Sequence, residues 1–144
     1  MTSLLLYPDT RLFKVALWNY LKGSNALTPI VNISQDHPKN ASDIQSGKSR
    51  IVLTPVNDSG VGKYLTRSLC EPTMRFTAYS VKESSCDNAI QQLMYVLESW
   101  QPSDFAMVDQ YLQFIAPGSK IETLYNDSIN LYFASITYKF YLRR

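Results

Sequence analysis

"TMRFTAYSVKESSCDNAIQQLMYVLESW", residues 73–100, changes its hydrophobic period partway along, and that change decides the fold class. At first Met74, Phe76, Ala78 and Ser80 alternate with Arg75, Thr77, Tyr79 and Val81, the two-residue period of a half-buried strand. Then Cys86, Ala89, Ile90, Leu93, Met94, Leu97 and Trp100 recur at spacings of three and four, which predicts one apolar helical stripe over 86–100. Ser84 or Ser85 is placed to cap that helix, and Pro102 is placed to stop it.

Upstream, "RLFKVALWNYLKG" predicts a helix over roughly 10–22, with Asp9 or Thr10 as cap and Gly23 closing it in a left-handed conformation. Phe13, Ala16, Leu17, Tyr20 and Leu21 form its apolar face, while Val15 and Trp18 lie toward the polar side with Arg11, Lys14 and Lys22. "TPIVNIS" and "RIVLTPVN" read as strands, with Pro55 ending the second or marking an edge. The polar run 35–49 between them reads as a loop. From Asp58 to Pro72, "DSGVGKYLTRSLCEP" breaks the pattern with two glycines and predicts a long hairpin connection carrying Lys63, Tyr64, Leu65 and Arg67.

The tail "DQYLQFIAPGSKIETLYNDSINLYFASITYKFYL" gives extended segments punctuated by Pro117, Gly118 and an Asn126-Asp127-Ser128 turn, so the chain is expected to finish as a hairpin. In the last segment Tyr132, Ala134, Ile136, Tyr138, Phe140 and Leu142 share one face, which is expected to pack under the helices. The other face is apolar at Ile129, Leu131 and Phe133 and polar at Ser135, Thr137 and Lys139, which leaves a short apolar patch beside the turn. The whole predicts one α+β domain over 1–144, a mainly antiparallel sheet with two α-helices packed on it in the order α-β-β-β-α-β-β.

Composition excludes more than it selects. The chain is 45% hydrophobic, 18% charged and carries ten tyrosines, which describes a globular domain with a modestly charged surface. A formal charge of +2 is too small to argue for nucleic acid or an anionic membrane. "MTSLLLYPDTRLF" lacks a basic leader region and a long apolar run, so it reads as neither signal peptide nor spanning segment, and the chain is expected to stay in a cytoplasm. Two cysteines, Cys70 and Cys86, make no disulfide framework and are expected to be free structural thiols.

No motif asks for catalysis. "SGKS" at 46–49 lacks the first glycine of a phosphate loop, which Ser42 replaces, and is followed by a strand instead of a helix; "SGVGKY" at 59–64 reads as a hairpin tip. The single histidine, His37, reads as a surface residue, and alone it can hold neither a zinc ion nor a hydrolytic triad. Asp104 with Asp109, and Glu83 with Asp87, are acid pairs that cap or loop roles explain. No cofactor and no metal are expected. Arg50, Lys63, Arg67, Lys139, Arg143 and Arg144 interleave with Tyr64, Tyr138 and Tyr141, which leaves a small nucleic-acid-binding α+β module as a further reading.

Three stretches in this order resemble the tail terminator (tail-completion) proteins of long-tailed bacteriophages, the lambda type in particular. "DTRLFKVALWNYLKG" is similar to that family's opening helix. "SRIVLTPVNDSGVGKYLTRSLCEPTMRFTAYSVKESSCDNAIQQLMYVLESW" is similar to its strand, long hairpin loop, strand and helix, and "DSINLYFASITYKFYL" to its final strand with an "ITY" core. The resemblance implies a non-catalytic virion protein. Its α+β subunits would form a homohexameric ring that caps the tail tube, stops its polymerisation and presents a joining surface to the head. It implies as partners further copies of the chain, the tail tube protein and a head-proximal neck protein, with no membrane and no sequence-specific nucleic acid. The loop at 35–49 and the mildly basic balance depart from the family pattern. Another neck or head-completion protein shares the same element order and remains the alternative.

A ring subunit needs two different, mutually fitting patches on its flanks. The sequence offers three candidate interface surfaces: Val15 with Trp18; the 58–72 hairpin with Lys63, Tyr64, Leu65 and Arg67; and Leu131 with Phe133.

Overall fold

A computed structural model of the chain describes residues 10–45, 47–57 and 69–143. Helices α1 (Thr10–Lys22) and α2 (Glu83–Glu98) lie on one face of a sheet of six strand segments. These are β1 (Val31–Ser34), β2 (Ser49–Asn57), β3 (Leu69–Cys70), β4 (Thr73–Ser80), β5 (Tyr111–Asn126) and β6 (Leu131–Arg143). β3 and β4 follow one another along β6, broken at Glu71-Pro72, so the sheet runs β1-β2-β4-β6-β5 across its width. Among the described strands, only β1 and β2 pair in parallel, and the other pairs are antiparallel. The expected α+β class and helix-on-sheet layering are therefore observed. Among the described residues, no helix is long and apolar enough to cross a membrane.

The core forms where the two periodicities meet. Alternation brings Ile51 and Leu53 of β2, Met74, Phe76 and Ala78 of β4, and Ala134, Ile136, Tyr138, Phe140 and Leu142 of β6 to the helix-bearing face. That is the even-numbered face expected of the last strand. Side-chain size then divides this face between the helices. Phe13 of α1 meets Phe140 with ring centroids 4.8 Å apart, whereas α2 begins over the small pair Ala78 and Ala134, where the Cys86 thiol approaches the Ala78 carbonyl at 3.5 Å. Tyr138 is fully buried among these rings and donates its hydroxyl to Glu98 Oε2 at 3.1 Å; burial, then the neighbouring carboxylate, pushes its ionisation far up.

Several local expectations are corrected. α2 starts at Glu83 with Lys82 at the cap position and no side-chain cap, so Ser84 and Ser85 lie inside its first turn. It ends at Glu98, before Pro102, which instead opens a 3-10 turn, Pro102–Phe105. In that turn Asp104 accepts from the Gln101 N–H at 2.7 Å, and Phe105 enters the core. Val96, off the expected stripe, is buried because that turn and Tyr20 of α1 lie against its side of the helix. Gly23 is not left-handed; its N–H continues the helical pattern to Asn19 O at 2.9 Å, and a Cβ there would meet that oxygen at 3.1 Å. Asp9, offered as a cap, lies outside the described residues, and Thr10 is already helical.

β2 runs through Pro55, but β1 pairs with it only as far as Val52, so the proline does occupy an edge on that side. β5 likewise runs through Pro117 and Gly118 instead of stopping there. The register with β6 slips between Pro117 and Lys120, and the Gly118 backbone comes so close to Thr137 that a Cβ would lie 2.9 Å from its carbonyl oxygen. The hairpin turns at Asp127–Asn130, with Asn130 left-handed at φ 55° and the Ser128 N–H donating to Asn126 Oδ1.

Both cysteines are free and buried. Burial is the main reason the Cys86 thiol is pushed up to about 11 from an ordinary value of 9.0. The unfolded chain therefore loses this proton first as pH rises. The stability linked to the neutral thiol is complete below about pH 9 and is lost toward pH 11. Urea midpoints are expected to fall from pH 9 upward in the native chain. Cys86→Ala should remove the part of that fall that begins below the range of the raised tyrosines Tyr20, Tyr79 and Tyr138.

Candidate interaction surfaces

The helix-free face of the sheet divides into a roofed half and an open half. Over β2 and β4, the segment 35–43 folds back against the strands and is tied down at several points. The Arg50 guanidinium donates to Asp36 O at 3.1 Å and Asp43 O at 2.7 Å. His37 contacts the Tyr79 hydroxyl through Nδ1 at 2.7 Å and the Thr54 hydroxyl through Nε2 at 3.4 Å. Thr54 and Tyr79 flank the Val52–Thr77 pair, and both members of that pair are buried. His37 is exposed, as expected, and it also fastens the connection to the sheet.

Among the described residues, no such roof lies over β5 and β6. Tyr111, Phe114, Ile121 and Leu124 of β5 are each about half exposed, between 47% and 54%. Phe114 stacks on Tyr141 with centroids 4.1 Å apart. Leu124 stands opposite Phe133, which is only half buried. Leu131, by contrast, is completely buried within the single chain, at the turn end of the hairpin opposite Asn126. The expected Leu131/Phe133 patch is thereby corrected. Leu131 belongs to the subunit's interior, Phe133 stays partly open, and the larger apolar surface lies on β5.

On the helix layer, Val15 is 60% exposed, and Leu12 beside it is 40% exposed. Trp18 is half buried against the core, with the Lys22 ammonium 5.1 Å from its ring centre. Lys14, Trp18, His37, Leu53, Pro55 and Met74 line a groove of about 430 Å³ between α1 and the part of β2 that β1 leaves unpaired. Tyr95 of α2 is exposed at 65%. Reading the helix only for its buried stripe passed over it, although its phase between Gln91 and Glu98 marks the solvent side. Lys63, Tyr64, Leu65 and Arg67 lie outside the described residues, as does the Gly-rich "SGVGKY" segment.

Several of the chemistry-bearing residues are engaged structurally. Asp87 accepts from the Thr123 hydroxyl, Asp104 caps the 3-10 turn, and Lys139 pairs with Glu71 at 3.5 Å. Among the described residues, no group of three or more His, Cys, Asp or Glu is placed to hold a metal ion. Of the tyrosines suggested for base stacking, Tyr138 is fully buried and faces the helices, and Tyr141 is stacked on Phe114. Of the basic residues grouped with them, Arg50 is committed to backbone carbonyls. No protein-family model matches the chain, and no curated protein matches it significantly.

Proposed function

We propose that this chain is a bacteriophage tail terminator, a structural subunit of a homohexameric ring that caps the tail tube, stops its growth and provides the head-joining surface. The observation that carries the reading is the pair of dissimilar open surfaces on one small domain. The helix-free face of β5 exposes Tyr111, Phe114, Ile121 and Leu124, and α1 exposes Leu12 and Val15 on the other layer. Large apolar side chains grouped on a surface mark contact sites, and head-to-tail association requires two different patches per subunit. The resemblance of the opening helix, the strand-helix unit and the final strand to terminators adds the specific identity. Its partners would be further copies of the chain, the tube protein and a neck protein, and its place the top of the tail in the virion.

Native mass spectrometry of the purified chain, alone and after incubation with assembled tail tubes, is expected to show a species of six copies. Labelling in intact particles should place it at the head-proximal end of the tail. A chain that stays monomeric in both conditions, or that maps elsewhere in the particle, overturns termination. A ring mapped within the neck instead would favour the head-completion alternative. The nucleic-acid reading is weaker because Tyr138, one of its stacking residues, is enclosed in the core.

A further inference from the structure

The two helices carry opposite charge without exception. α1 contains Arg11, Lys14 and Lys22 and no acidic residue; α2 contains Glu83, Asp87 and Glu98 and no basic residue. Their solvent-facing ridges also match in spacing. On α1 the ridge runs Arg11, Val15, Asn19, Lys22; on α2 it runs Asp87, Gln91, Tyr95, Glu98, and all of these residues are exposed. Each ridge places its charges eleven residues apart, about 16 Å along a helix at 1.5 Å per residue.

We infer that copies of this chain associate by laying α1 of one copy antiparallel on α2 of the next. In that orientation Arg11 meets Glu98, Val15 meets Tyr95, Asn19 meets Gln91 and Lys22 meets Asp87, so opposite charges meet at the two ends and residues of like polarity meet between them. The parallel arrangement would set Val15 on Gln91 and Asn19 on Tyr95. Antiparallel docking also brings the C-terminal end of α1 to the N-terminal end of α2, which the helix dipoles favour.

Both ridges lie on the one helix layer, and Asn19 and Tyr95 line a common cleft between α1 and α2. Lys14 and Trp18, beside the basic ridge, line the groove at the β2 edge; Asp87 bonds to β5, and Gln91 lines a crevice with Lys120 of β5. A head-to-tail contact of this kind makes a ring when its rotation closes, whereas two copies related by a two-fold axis would exchange both helix pairs and stop at a dimer. The inference rests on the ring reading and names the surface that forms the ring.

The test uses two charge-reversed chains, Arg11→Glu with Lys22→Glu, and Asp87→Lys with Glu98→Lys, each checked for folding by circular dichroism. Should the second not fold, Gln91→Lys with Tyr95→Lys, both at exposed positions, takes its place. Each variant alone is expected to lose the oligomer seen for the native chain. An equimolar mixture should restore it, because each reversed helix then meets its complement, and restoration should weaken with added salt. If the native chain forms a ring and either variant still does so alone, or the mixture stays monomeric, the helix pairing is overturned and the ring reading stands. A mixture that restores only dimers supports the pairing and rejects the ring. A native chain that stays monomeric even with tail tubes overturns both.

Discussion

Replacing Phe140 with alanine is expected to lower the unfolding free energy by about 3–5 kcal/mol. Phe140 is fully buried where α1 meets the sheet, with Phe13 at 4.8 Å and Phe76 at 6.4 Å between ring centres. Its backbone N–H also donates to Pro72 O at 2.9 Å, which carries the β6 register across the break between β3 and β4. The strand is thus held in place on both sides of the site, so the backbone has little freedom to collapse into the vacated volume and the cavity term adds to the lost transfer energy. Against a total of about 5–15 kcal/mol for a domain, this loss would leave the variant marginal at best. Urea unfolding followed by circular dichroism measures it. A loss below about 1 kcal/mol would mean that the Phe13–Phe76–Phe140 cluster does not organise the core.

The second large effect separates interior from interface. Leu131→Ala is expected to cost about 2–5 kcal/mol in the unassembled chain, because Leu131 is enclosed by its own subunit. Val15→Ser, at a position 60% exposed, is expected to change the stability of the isolated chain by less than about 0.5 kcal/mol. The same Val15 change should weaken assembly, since its methyl groups lie at the centre of the inferred contact with Tyr95. The converse result, with Leu131→Ala neutral in the monomer and Val15→Ser destabilising, would reverse the assignment of the two residues. Stability must be measured on the monomer for both variants, because association adds its own free energy to the folded state.

How far each element was legible follows from where its information resides. α1, α2, β4 and β6 were readable because their apolar residues repeat at 3.6 or 2 over enough positions for chance to be small, and each repeat reports directly on a buried face. Both thiols being free followed from their number and setting. Turn and cap chemistry was less legible. Ser84, Ser85 and Gly23 have the residue types of helix ends, but those types permit an end without imposing one, and neighbouring packing placed the actual termini elsewhere. Pro117 and Gly118 have the composition of a turn; within β5 they instead sit at a register slip where the Thr137 carbonyl comes too close for any side chain.

The candidate surfaces divide in the same way. Val15 could be found from helical phase, and the structure leaves it open. Leu131 and Phe133 share a strand face in sequence, but the tertiary structure buries Leu131 completely and leaves Phe133 half covered. Tyr111, Phe114, Ile121 and Leu124 form a surface only through the slipped register of β5, which shifts its residues relative to simple alternation. The opposite charges of α1 and α2 can be read from their sequences; that the two ridges share one layer and adjoin a common cleft cannot. Sequence by itself determined the α+β class, the identity and inner faces of both helices, and the charge each helix carries, since all of these are local periodicities along the chain. Tertiary structure alone decided which outer faces stay open, because exposure is set by residues distant in sequence that cover a surface or leave it bare.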